Sequence, residues 1–89
     1  MNISLDYDGT YTEDPAMWNR IIATMRNADH TVMVITMRTP GEGAEVEANL
    51  RDRVDAIHYT SRAFKFKFCS DNNVKVDVWI DDAPYFITG

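Results

Sequence analysis

One cysteine, Cys69, stands in a chain of 89 residues. It has no partner for an internal disulfide, which fits a reducing compartment and points to the cytoplasm; Cys69 reads as a small apolar filler of the core. No apolar run is long enough to span a membrane. The N-terminus enters a strand pattern directly, without a basic n-region, so no signal peptide is expected. Repeats, low-complexity tracts and linkers are missing as well. Basic residues are in deficit, nine against 14 acidic, for a formal net charge of -5. Non-specific nucleic-acid binding depends on a basic surface, so long nucleic acids are disfavoured partners. What is left is one small domain, residues 1–89, of ordinary globular composition at 45% hydrophobic, near the size where a single core is only just sufficient.

The elements follow from hydrophobic period and punctuation. Asn2 to Tyr7 reads as a first strand. Asp14 as N-cap and Pro15 at the first helical position open a helix that runs to about Ala28, with Trp18, Ile21, Ile22 and Met25 as its buried stripe. Thr31 to Thr36 is an almost unbroken apolar strand of the kind buried on both faces in a parallel sheet. After the breaker run Pro40 to Gly43, a second helix is expected from about Ala44 to Val54. Val46, Leu50 and Val54 form its stripe, acidic residues lie near its start, arginines near its end, and Glu47 and Arg51 are placed to pair. Ala56 to Thr60 is a short third strand, in which His58 reads as structural.

Phe64-Lys65-Phe66-Lys67-Phe68 alternates with a period of two and, taken alone, says strand. A parallel connection needs a crossover of about a dozen residues, usually a helix, and this stretch is the only candidate before the last strand. Ala63 to Asn72 is therefore expected to be helical. Val74 to Ile80 alternates as a half-exposed edge strand does, and Tyr85 to Gly89 closes the chain. The sum is an α/β fold: a small open parallel sheet with helices on both faces.

Two pairs of carboxylates stand at strand ends, Asp6/Asp8 and Asp81/Asp82. Side chains alternate along an extended strand, so Asp6 and Asp8 should share a face as the first strand ends, where open α/β sheets place their ligands. Carboxylates held that close either raise one another's pKa or recruit a cation. Gly9 then lets the backbone leave the strand.

Asp6-Tyr7-Asp8-Gly9-Thr10 resembles the DxDGT signature of the haloacid dehalogenase (HAD) superfamily of phosphohydrolases. Thr36 matches the second motif's Ser/Thr, and Lys65 best matches the third motif's lysine, with Lys67 and Lys75 as rivals. Asp81-Asp82 looks like the fourth motif's acidic pair, so the resemblance covers essentially the whole chain. It implies strand order 4-1-2-3 and a phosphatase in which Asp6 is the nucleophile and forms an aspartyl-phosphate, with Asp8 as general acid and base. It implies Mg²⁺ held by Asp6, the Asp8 carbonyl and Asp81 or Asp82. Thr36 and Lys65 would stabilise the transferring group, while Gly9, Thr10 and Met37 would line its binding site.

Larger members carry a cap domain, but the gaps Thr10 to Asp14 and Ser61-Arg62 leave no room for one. An open site suits a bulky or varied phosphorylated substrate: a nucleotide, a sugar phosphate, a polynucleotide end or a phosphoprotein. A lid from a second subunit of a homo-oligomer is the other solution. The alternative reading is a non-enzymatic scaffold of the same fold that binds Mg²⁺ or phosphate. Retention of both Asp6 and Asp8 weighs against it. A receiver domain, which also clusters aspartates, would need the phosphorylated Asp after the third strand, where Tyr59-Thr60-Ser61 stand instead.

Overall fold

The apolar lead-in Asn2–Leu5 (β1) and the run Thr31–Thr36 (β2) form the interior of a sheet. Ala56–Tyr59 (β3) and Val78–Ile80 (β4) are its edges. All three pairings are parallel, and the order β3-β2-β1-β4 is 4-1-2-3 viewed from the opposite edge. The computed structural model describes residues 1–89. Register sets Ile3 beside Val32 and Leu5 beside Val34, while Ser4 lies beside Met33 and the other face.

Both faces are covered, as the apolar runs require. Pro15–Asn27 (α1) and Ala44–Leu50 (α2) pack on one face, where Leu5, Val32 and Val34 meet Ile22, Val46 and Leu50. Lys65–Asp71 (α3) covers the other, joining Cys69 to Met33 and Ile35. The Asp14 side chain accepts a hydrogen bond from the Met17 N–H at 3.1 Å, so α1 starts where the N-cap and proline placed it. The period-two stretch is a helix, because crossover connectivity outweighs local alternation. No helix is long and apolar enough to cross a membrane.

Several details differ from expectation. β1 stops at Leu5 rather than Tyr7: the Asp6 N–H still reaches the Ile80 carbonyl, but Tyr11 and Thr12 then fold back on the Asp6 and Tyr7 carbonyls. α2 ends at Leu50, and Val54 reaches the core from the turn beyond. The Glu47–Arg51 pair does not form, because the Glu47 carboxylate accepts the Tyr59 hydroxyl at 2.6 Å. β4 is only three residues long; Val74 and Val76 take part by packing on the Met33–Ile35–Cys69 cluster rather than through the ladder. The closing segment contains a short helix, Tyr85–Thr88 (α4).

Candidate active site

The carboxyl ends of β1 and β4, neighbours in the sheet, bring Asp6 together with Asp81 and Asp82. One oxygen from each lies within 4.8 Å of the others. The side chains of Asp6 and Asp81 are both buried, and Asp82 is exposed. Lys65, at the start of α3, is itself buried; its Nζ donates to Asp6 Oδ1 at 2.8 Å and also to Asp81 Oδ2. Lys67 and Lys75 instead lie on the surface, beside Asp71 and Asp77. The Thr10 hydroxyl sits between Asp6 Oδ2 (3.2 Å) and Asp82 Oδ1 (3.1 Å) and accepts the Asp82 N–H.

Asp8 stands apart from this cluster. The chain has left the strand by then, so strand alternation does not carry Asp8 onto the Asp6 face. Its exposed carboxylate receives both Nε (3.0 Å) and Nη2 (2.8 Å) of Arg38. Asp8 nonetheless lines the same cleft as Asp6, Thr36, Met37 and Lys65, a hollow of about 340 Å³. Thr36 closes β2 beneath it, fully buried, its hydroxyl accepting the Arg38 N–H at 3.3 Å.

Gly9 has φ +83, and a Cβ there would lie 2.5 Å from Asp82 Oδ2. Both the left-handed backbone and the approach of Asp82 exclude a side chain. Gly9→Ala should lose roughly 1–3 kcal/mol of stability, and the forced shift of Asp82 should weaken Mg²⁺ binding. Thermal melts with and without Mg²⁺ read both effects; an unchanged melt and unchanged metal response would mean the turn is not held against Asp82.

Burial pushes the Asp6 carboxyl up to about 6; Lys65 opposes the shift, while Asp82 and Asp81 add to it. Asp82 moves down, chiefly through its hydrogen bond with Asp6. Since the folded pKa of Asp6 lies above its ordinary 3.8, its contribution to stability is fully present below that pH and is lost as pH rises through about 6. Three carboxylates face one ammonium, so negative charge remains uncompensated once Asp6 ionises. Hard oxygen donors of this kind fit Mg²⁺. A Mg²⁺ ion held by these oxygens would therefore stabilise the fold little below this pH window and more above it, because protons and metal would compete for the same oxygens. Melting temperatures in Mg²⁺ and in chelator across the window check this; equal Mg²⁺ effects at both ends contradict it.

Arg38 and Arg62 were not singled out in the sequence, yet both line the cleft. Arg38 also donates to the Glu42 carbonyl at 2.9 Å and lies over the Tyr7 ring, 5.1 Å from its centre. Arg62 grips the Glu42 carboxylate at 2.9 and 3.0 Å and the Met37 carbonyl at 2.8 Å. Hydrogen bonds from the Thr39 N–H, then from Arg62, hold Glu42 down at about 2. Arg62 follows Ser61, and both have left-handed backbones (φ 73 and 53), an unusual pair for non-glycine residues. The basic residue two places after the strand-end threonine was a signal for Arg38. Nothing local marked Arg62.

A broader hollow of about 560 Å³ lies among Arg26, His30 and Asp55, at the opposite ends of the strands. Its charges serve the fold: Asp55 accepts the Val32 N–H and pairs with Arg26. His58 packs against Phe68, away from the carboxylate cluster. Comparison of the chain with protein-family models, curated proteins and solved structures finds no match.

Proposed function

We propose that the chain is a Mg²⁺-dependent phosphomonoester hydrolase of the haloacid dehalogenase type, without a cap. The observation that carries this reading is the buried Lys65 amine bonded to Asp6 and Asp81, with Asp82 beside them at the carboxyl ends of adjacent parallel strands. Clustered carboxylates alone would repel a phosphate dianion. A fixed ammonium among them, together with a divalent ion on the carboxylate oxygens, would turn the cluster into a phosphoryl site.

Asp6 is the nucleophile: one carboxylate oxygen attacks phosphorus, the ester oxygen departs, and water later cleaves the acyl phosphate. Asp8 gives the leaving oxygen its proton and then takes one from that water. Its bidentate pairing with Arg38 means that Arg38 must yield part of that contact during turnover. Lys65 and Thr36 face the charge on the transferring group, and Thr10 fixes the spacing of Asp6 and Asp82. Asp6, the Asp8 carbonyl and Asp81 or Asp82 would hold Mg²⁺, which would neutralise charge on the transferring group.

Hydrolysis of 4-nitrophenyl phosphate with Mg²⁺ and with excess chelator tests the reading. Release of nitrophenol only with the metal is the expected result. No release, with Mg²⁺ still raising the melting temperature, would favour the non-enzymatic scaffold, in which the Arg38–Asp8 contact is permanent.

A further inference from the structure

We propose that the cleft takes phosphomonoesters whose leaving group carries a planar aromatic ring, seated against Phe86. This rests on the phosphatase reading and narrows its substrate class. The cleft's cationic side chains are already committed to protein partners: Arg38 to Asp8, Arg62 to Glu42, and Lys65 to Asp6 and Asp81. The wall left facing solvent is mainly carbon, supplied by Met37, Ala83, Phe86 and the stems of the long side chains. A sugar would find few free hydrogen-bonding partners there. A second anionic group would meet a rim whose cations are already neutralised.

Phe86, on the wall of the cleft, is 44% exposed. Its neighbour Tyr85 is also exposed and meets it edge-on at 5.9 Å, while Phe64 meets Tyr85 edge-on at 5.6 Å. The backbone that carries the ring is tied to the acid cluster: the Phe86 N–H donates to the Ala83 carbonyl, and the Ala83 N–H donates to Asp81 Oδ1, each at 2.9 Å. The residue that presents this aromatic face is thereby linked through its backbone to a carboxylate of the proposed phosphoryl site. Exposed aromatic faces beside a phosphate site bind flat rings by stacking, whether the ring is a nucleobase or a phenol.

The test is calorimetric titration in Mg²⁺ with phenylphosphonate and methylphosphonate, which cannot be hydrolysed at phosphorus. Wild type should bind the phenyl compound about tenfold more tightly, the effect of one modest stack. Phe86→Ala should abolish that preference and Phe86→Tyr should keep it. Equal binding of both phosphonates by wild type would overturn the ring proposal and leave the phosphatase reading standing. Binding of neither would overturn both. Turnover then separates the ring sources: greater kcat/KM for nucleoside monophosphates supports a nucleobase, greater kcat/KM for O-phosphotyrosine supports a phenol, and a higher value for glycerol phosphate than for either contradicts the proposal.

Discussion

Lys65→Met should destabilise the metal-free protein at neutral pH by about 3–5 kcal/mol, the cost of removing one partner from a buried ion pair. The substitution keeps the length and apolar stem of the side chain, so packing on α3 survives. What disappears is the only ammonium within reach of Asp6 and Asp81, whose side chains are 9% and 3% exposed. In a domain of this size, that loss corresponds to a fall of roughly 15–30 °C in melting temperature. Two conditions should restore part of it. Acidification helps because Asp6, already raised by burial, is protonated more readily still without Lys65. Mg²⁺ helps because it replaces the missing positive charge. Lys67→Met, on the surface, should change the melt little, since exposed pairs are worth at most about 1 kcal/mol. If Lys65→Met and Lys67→Met melt alike, Lys65 is not the cation of this site.

Asp6→Asn should lower the rate of phosphomonoester hydrolysis by at least about 10⁴-fold, the scale of loss when a nucleophile is removed. The amide is nearly isosteric and can still accept from Lys65, but it cannot form an acyl phosphate. It also removes a carboxylate that burial makes unfavourable when charged, so above about pH 6 the variant should be at least as stable as wild type. Loss of rate without loss of fold is therefore the expected pairing. Hydrolysis rates and melting temperatures on the same preparations check it. Substantial residual turnover would assign the nucleophile elsewhere.

Much of the frame was legible in the sequence because single residues carried it. Asp14 and Pro15 fixed the start of α1, and the unbroken Val32 to Ile35 run marked an interior strand. Lys65 shows local pattern yielding to topology: its alternating neighbours say strand, yet the parallel crossover demands a helix, and that helix carries the amine to Asp6. What could not be foreseen depended on contacts distant in sequence. Glu47 had a suitable partner in Arg51 one turn away but bonds Tyr59, which the sheet brings alongside α2. Val74 and Val76 alternate with polar residues because they pack on the Met33–Ile35–Cys69 cluster, not because they lie in the ladder. The strand alternation that seemed to align Asp8 with Asp6 ends at Leu5, and the turn hands Asp8 to Arg38, thirty residues on. Arg62 and Phe86 join the cleft through a left-handed loop and a short terminal helix, neither of which has a pattern in composition or period.

The most direct test of the central claim is capture of the protein carrying a phosphoryl group. The Asp8→Asn variant, impaired in activating water, should accumulate the intermediate when mixed with an aryl phosphate and Mg²⁺ and quenched in acid. Intact-protein mass spectrometry should then show a gain of one phosphoryl group that hydroxylamine removes, on the peptide containing Asp6. Steady turnover by wild type with no phosphoryl group on the protein, or with the group on another residue, would contradict the account.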